Sequence, residues 1–571
     1  MIDFRSINLA SSPFRLFAAS PFRPVAVSPF RRVAQSFFLF VAVISLTALS
    51  GPGRIDILDG YTRYEVGRSL VEHGDSIVRD PNAWFSVFPG RDGRRYTNYR
   101  FPQSALAAGS IVAADLTGPV SEARRHFFFS LSGGVLCGLI AVLYAAWFSR
   151  AGLSERASVL WAAGGIFCTP LWFYGTTTFD DVLGTLFTLA GVAVAFWTRE
   201  RFLQSGAIAA GLLLGIAFNC KPPLALFVAP ALAAGWDGRR PTRDQWIRTG
   251  MMLAGVVLGV AAYKAYDLYK FPPSTWAANA VAMQKGYALM WPGNFWAGLM
   301  GLLVSPGVGA VWYWPPVIAG CYGVAAWYRS EQWFALTLGL SSAVFVCFIA
   351  TMTFFAGDPN WGPRYLTPVF ALLWLFIPAG AARLRPPLVA LLLALALAGQ
   401  IAALSVDPLR LYIERGLTSS FFLNDPWAYF RPRCSQLLAR PRQLREIVCY
   451  AGPAPQKFSP AKRPTLPVTV DPDGDEPLEV QRYWVLNSLR PWWISQRHLS
   501  ESERPVDLNA ALRVLLTLLG ISLAGLTFVT RPWRMACQAV SSTVNGLGGH
   551  PPGNDSYSSR IQILRNRTGL P

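Results

Sequence analysis

Charge is what this chain has least of. Asp, Glu, Lys and Arg make up 15% of its 571 residues, against 52% hydrophobic residues. A soluble chain of this length divides into several domains, and so little charge would not coat them. Carboxylates are the scarcer sign, 32 against 51 Lys and Arg, which leaves a formal net charge of +19. Such an excess could suit nucleic acid, but a compact basic motif with interleaved aromatics is missing. Missing too is a small-residue cleavage site after a clean n-region and h-region, so the first apolar run is expected to stay as a span. The middles of the apolar runs carry almost no charge, and no repeat relates one run to another. Both absences weigh against a transporter or flippase for a lipid-linked or small solute, the alternative class.

What is there is a series of apolar runs long enough to cross about 30 Å of hydrocarbon. Twelve spans are expected, at 33–51, 126–148, 157–175, 179–198, 205–220, 222–236, 248–268, 306–328, 333–355, 362–382, 386–405 and 508–530. The chain is read as an all-α polytopic membrane protein with juxtamembrane helices in its first outer loop and a small mixed outer cap. Residues 1–32 form a disordered basic tail built on Ser-Pro-Phe-Arg repeats at Ser12, Ser20 and Ser28. Residues 33–405 form the membrane module, with a first outer loop at 52–125. The cap follows at 406–507, the last span at 508–530 and a second tail at 531–571.

With the basic N-terminus inside, the inner connections hold Arg150, Arg199, Arg201, Arg239, Arg240, Arg243, Arg329, Arg383 and Arg385, as the positive-inside rule requires. An even span count then puts both termini in the cytoplasm of a bacterial-type inner membrane. Every long or polar loop falls on the outer face. Cys434 and Cys449 lie in the outer cap, where an oxidising compartment favours a disulfide between them. Cys137, Cys168, Cys321 and Cys347 lie in spans as small core residues.

Four features meet on that outer face. Asp56 and Asp59 stand where the first span leaves the membrane, ahead of a helix striped with Tyr61, Tyr64, Gly67 and Val71 that can lie on the bilayer or on the bundle. Carboxylates at a bilayer boundary are usually paired, solvated or functional. A Gly-Asp turn at Asp92 leads to Tyr96, Tyr99 and Arg100, side chains that suit a sugar face and a phosphate, or an interfacial aromatic belt. Thr176-Thr-Thr-Phe-Asp-Asp181 opens the fourth span; Asp180 is placed to cap it, and of two adjacent helical carboxylates at most one would face a site. Arg364, in Trp361-Gly-Pro-Arg-Tyr365, suits a lipid phosphate through its planar fork, and Lys221 is a second cation near the same boundary.

In this order the motifs resemble the GT-C superfamily of polytopic glycosyltransferases, in particular the branch holding protein O-mannosyltransferases and aminoarabinose transferases. The resemblance covers roughly residues 35–405 and also takes in Leu303-Val-Ser-Pro-Gly-Val-Gly309 and Tyr313-Trp-Pro-Pro316. It implies an outer-face enzyme of glycan or cell-envelope synthesis that moves a sugar from a polyprenyl-phosphate donor to a glycan, lipid or protein acceptor with inversion. Asp59, supported by Asp56, would then be the general base. Lys221, Arg364 and Arg100 would hold the donor phosphate, and Tyr61, Tyr64, Tyr96, Tyr99, Asp180 and Asp181 would line the pocket. The family's first-loop acids usually form a tight pair, whereas these stand three apart, so either could match the base. A divalent metal is possible if Asp180 or Asp181 joins Asp59.

Overall fold

The computed structural model describes residues 29–83, 85–199, 204–234, 236, 242–273, 291–357, 360–415, 425–450, 489–497 and 504–530. Most of the Ser-Pro-Phe-Arg repeats, the whole 531–571 tail and Trp484 of the cap lie outside them.

Six helices are long and apolar enough to cross a membrane: Phe30–Ser50, Glu122–Arg150, Arg243–Lys270, Gln332–Ala350, Pro386–Ser405 and Leu508–Thr530. The other six stretches expected as spans hold shorter or broken helices. Proline explains the breaks, because it removes an intrahelical hydrogen bond and clashes with the preceding turn. The third run stops at Phe167 and resumes at Leu171 across Pro170. The eighth divides at Pro315-Pro316 into Ala310–Tyr313 and Val317–Trp327. The tenth becomes Thr367–Trp374 and Ile377–Ala381, the second piece carrying Pro in its first turn. The sixth opens as a 3-10 turn over Pro222–Phe227.

Helix α1 (Pro29–Ser50) packs on Glu122–Arg150 and on the last helix, Leu508–Thr530. The segment after α1 then supplies α2 (Leu58–His73), a two-stranded antiparallel ribbon pairing Val87–Pro89 with Arg95–Thr97, and α3 (Phe101–Leu116). α2 is buried over Gly60–Gly67 and leans on α3, so it belongs to the bundle and not to the bilayer surface; Val71 alone of its expected stripe is exposed. Among the described residues both strands lie in this loop, and those of the cap are helical.

Two packing devices hold the spans. Gln204–Cys220 meets Arg243–Lys270 along a seam of glycines, where a Cβ added to Gly215 would stand 2.8 Å from the Gly259 Cα. Small residues let two backbones approach closely where no hydrophobic force drives helices together. Elsewhere an aromatic cluster of Trp147, Phe196, Trp327, Phe334 and Phe376 fills the core. Leucines such as Leu340, Leu391 and Leu395 stay exposed, as an apolar solvent allows.

Cys434 and Cys449 are separate thiols, the first buried and the second exposed. The expected disulfide fails on geometry. Cys434 precedes the helix Gln436–Tyr450 and Cys449 ends it. At 1.5 Å of rise per residue that helix holds them roughly 20 Å apart, beyond the reach of an S–S bond.

Candidate active site

The turn Thr176–Asp181 is the hub of the site, and the segment between the first two long helices folds onto it. Gly60 makes the close approach possible: a Cβ there would stand 2.0 Å from Thr178 Oγ1. That contact brings Asp56 to one side of the turn and Asp59 to the other.

On the Asp59 side the structure builds a ladder of alternating charge. Tyr99 donates its hydroxyl to Asp59 Oδ1 at 2.6 Å, and Asp59 Oδ2 lies 3.9 Å from Arg63 Nη1. Arg63 donates through Nη2 to Asp180 Oδ2 at 2.9 Å, and its guanidinium stacks 4.0 Å from the centre of the Tyr99 ring. Lys221 Nζ lies 3.6 Å from Asp180 Oδ1 and donates to Asp181 Oδ1. Arg364 Nε closes the series 3.4 Å from Asp181 Oδ2, with its guanidinium 3.8 Å from the Phe179 ring. Asp181 is fully buried, while Asp59 and Lys221 keep 15% and 19% of their side chains exposed. The ladder is thus most open at Asp59 and at Lys221.

Both carboxylates of the Asp180-Asp181 pair therefore reach one ammonium, against the expectation that only one could face the site. Asp180 is the residue before the helix, with φ −83° and ψ 1°, so the helical rotation that would separate neighbours does not apply to it. It makes no side-chain cap hydrogen bond and is committed to Arg63 instead.

On the other side Asp56 is fully engaged. Its Oδ1 accepts from Thr178 N at 3.2 Å and from Thr178 Oγ1 at 3.3 Å. Its Oδ2 accepts from Arg490 Nη2 at 3.1 Å, and Arg490 Nη1 donates to Thr176 Oγ1 at 2.6 Å. Burial lifts the Asp56 carboxyl above the ordinary range despite the pull of Arg490. Tyr99 is pushed well above its ordinary value by burial and by Asp59, so it remains a donor.

Arg490 arrives on a strap, residues 489–497, that returns from the cap. Trp492 Nε1 and Trp493 Nε1 donate to Ala48 O and Leu49 O, and Gln496 Nε2 donates to Pro52 O and Gly53 O. These bonds satisfy carbonyls that the end of α1 leaves without intrahelical partners. The strap is thereby fixed to the stretch that carries Asp56.

Other expected site residues are employed elsewhere. Tyr61 donates to Asp80 Oδ2 and Tyr64 to Glu122 Oε2, each at 2.5 Å. Tyr96 packs against Tyr269 and Phe271. Arg100 is held by Asp267 at 3.1 Å and by the Tyr263 hydroxyl. Two residues of the site were not singled out in the sequence. Arg63 stands four residues after Asp59 on one helix, a spacing that pairs opposite charges. Arg490 has no such local signal.

The three ladder carboxylates already face three fixed cations, so a divalent metal placed among them would meet like charge. The donor set does not fit one. Among the described residues no group of three His, Cys, Asp or Glu side chains could hold a metal ion.

No family profile and no curated sequence matches the chain. Among solved structures it is similar to ArnT from Cupriavidus metallidurans bound to undecaprenyl phosphate, at 16% identity and a TM-score of 0.39 over 74% of this chain and 81% of that one. It is also similar to the oligosaccharyltransferase AglB from Archaeoglobus fulgidus in complex with an inhibitory peptide and a dolichol-phosphate, at 13% identity and a TM-score of 0.37. That match covers 65% of this chain and 55% of the archaeal one. Scores of this size leave the functional reading to the chain's own residues.

Proposed function

We propose that the chain is an inverting glycosyltransferase that moves a sugar from a polyprenyl-phosphate carrier to an acceptor on the outer face of the membrane, with Asp59 as general base. One observation carries the choice of Asp59. Among the described residues its Oδ2 has only the 3.9 Å contact to Arg63, whereas both oxygens of Asp56 are taken by hydrogen bonds. A base needs a lone pair within hydrogen-bond reach of the proton it removes, and Asp59 has one to offer. Tyr99 and Arg63 orient it from the other directions.

The mechanism follows from the ladder. Asp59 takes the proton of the acceptor hydroxyl as its oxygen attacks the anomeric carbon opposite the carrier phosphate. The C–O bond to the phosphate breaks through an oxocarbenium-like state, and the single displacement inverts the centre. The bond electrons leave on the phosphate, where the developing charge needs a fixed cation. Lys221 is suited to this because an ammonium has three donors, so it can keep Asp181 while meeting a phosphate oxygen. Arg364 sets the same field from behind Asp181. The ladder is neutral as built, three carboxylates alternating with three cations.

The test is mass spectrometry of envelope glycans and lipid-linked sugars in a strain lacking the protein, complemented with the native chain, Asp59→Asn or Asp56→Asn. A sugar missing from an identifiable carrier, restored by the native chain and not by normally expressed Asp59→Asn, is the expected outcome. Full restoration by Asp59→Asn would remove it as base.

A further inference from the structure

A second set of cations lies outside the ladder, where the cap meets the outer face. Arg440 is 1% exposed; its Nη1 donates to Asp407 O at 3.5 Å and to Gln443 Oε1 at 3.1 Å, while its buried Nε and Nη2 meet no acceptor among the described residues. Arg490 commits both Nη atoms to Thr176 and Asp56 and leaves its buried Nε without an acceptor. Arg410 holds Glu414 and Glu446 and leaves Nη1 buried and unmatched.

These side chains share one neighbourhood. Asp407 O accepts from Arg410 N at 3.1 Å and from Arg440 Nη1 at 3.5 Å, and Arg490 N donates to Ser405 O, two residues earlier, at 3.0 Å. Arg440 lies 5.1 Å from the centre of the Trp361 ring and Arg490 lies 4.7 Å from that of Phe173. The two aromatic walls are joined, because Tyr174, next to Phe173, donates to Trp361 O at 2.8 Å. Asp407 itself is turned partly to Leu409 N and to Arg54. Burying a charged donor without an acceptor is costly. The unmatched guanidinium atoms are all donors, and planar forks of this kind match the oxygens of a phosphate or carboxylate.

We propose that Arg440, Arg410 and Arg490 form a second oxyanion site, at the seam between cap and outer face, which holds an acidic group of the acceptor while the ladder handles the donor. The word acceptor rests on the transferase reading above; the site itself does not. Arg490 then joins the second site to the loop that carries Asp56, since its Nη2 donates to Asp56 Oδ2 while its Nε is left for the anion.

The test uses the full chain in nanodiscs of neutral lipid, with thermal unfolding followed by tryptophan fluorescence. Inorganic phosphate should raise the unfolding temperature beyond a chloride control of equal ionic strength, since a ligand of the folded state stabilises by mass action. Arg440→Gln should weaken that response about tenfold, and Arg440→Lys, which keeps the charge and loses the fork, should weaken it less. Arg445→Gln, exposed on the same helix, should leave it unchanged. Asp59→Asn should also keep the response, which separates this proposal from the catalytic one. Nanodiscs of phosphatidylglycerol that abolish the phosphate response in the native chain would identify a lipid headgroup as the source of the anion. The proposal is overturned if phosphate does no more than chloride in both lipids. It is overturned equally if the response survives in Arg440→Gln and disappears in Lys221→Gln.

Discussion

Replacing Arg490 by Leu removes the cation from Asp56 and leaves the rest of the strap in place. Asp56 keeps Thr178 N and Oγ1 but loses the partner of Oδ2 at 3.1 Å. Removing one member of a buried ion pair costs about 3–5 kcal/mol when the survivor stays charged. Asp56 can escape part of that by taking up a proton. From an ordinary carboxyl value near 3.9, protonation at pH 7 costs about 1.36 kcal/mol per unit, or roughly 4 kcal/mol, which sets a ceiling of similar size. The sign of the pH dependence follows. Asp56 is already raised by burial, and without Arg490 it is raised further. The folded variant therefore binds a proton that the unfolded chain releases, and its stability falls as pH rises from the unfolded value through the folded one. The deficit in unfolding temperature against the native chain should be small near pH 5 and larger at pH 8. Adding Asp56→Asn to Arg490→Leu should recover most of the pH 8 deficit, because the unpaired charge is gone. A deficit equal at both pH values, unchanged by Asp56→Asn, would show that Arg490 acts through the strap alone and refute the pairing argument.

Three further outcomes follow from the same contacts. Gly60→Ala puts a methyl 2.0 Å from Thr178 Oγ1, which should cost about 1–3 kcal/mol as overpacking; Thr178→Gly in the same chain should restore much of the unfolding temperature. Glu65 is buried, with Oε2 on Arg68 at 2.6 Å, and burial raises its carboxyl to about 7. It therefore lowers stability as pH rises from about 4.5 to 7, and Glu65→Gln should raise the unfolding temperature at pH 8 and change it little at pH 5. Cys449 should react with a maleimide in the folded protein and Cys434 only after denaturation, without prior reduction, because both are thiols and only Cys449 is exposed; protection of Cys449 until reductant is added would restore the disulfide.

How much of this was legible in the sequence depends on how far apart the interacting residues lie. Run length and hydropathy are local, so spans such as 386–405 and 508–530 coincide with helices Pro386–Ser405 and Leu508–Thr530. The Pro-Pro breaks were equally visible, yet a hydropathy window reads across them. Within the site, Asp59, Asp180, Asp181, Lys221 and Arg364 were each suspected for residue type and place at a membrane boundary. Their joining was not legible. Arg63 bridges to Asp180 across 117 residues and Arg490 reaches Asp56 across 434, and no periodicity records such distances. The family resemblance places Tyr61 and Tyr64 in the pocket lining, but their hydroxyls are needed by Asp80 and Glu122. A motif of polar aromatics does not say which acid will claim it.

The strap gives the cap a reason to be part of this chain. Its tryptophans and Gln496 satisfy carbonyls at the end of α1, and its arginine neutralises the first acid beyond that end. One short segment thus performs two tasks that α1 cannot perform for itself, closing its own C-terminus and matching a buried carboxylate. If only the hydrogen bonds mattered, Arg490→Leu would keep the site. If only the charge mattered, Trp492→Phe, which loses the donor to Ala48 and keeps the ring on Phe127, would be silent. The geometry makes the two interdependent, because Arg490 N donates to Ser405 O and Trp492 N to Gly51 O, fixing the backbone on either side of Pro491. The strap is therefore a structural member of the candidate active site, tied to it at Asp56 and Thr176.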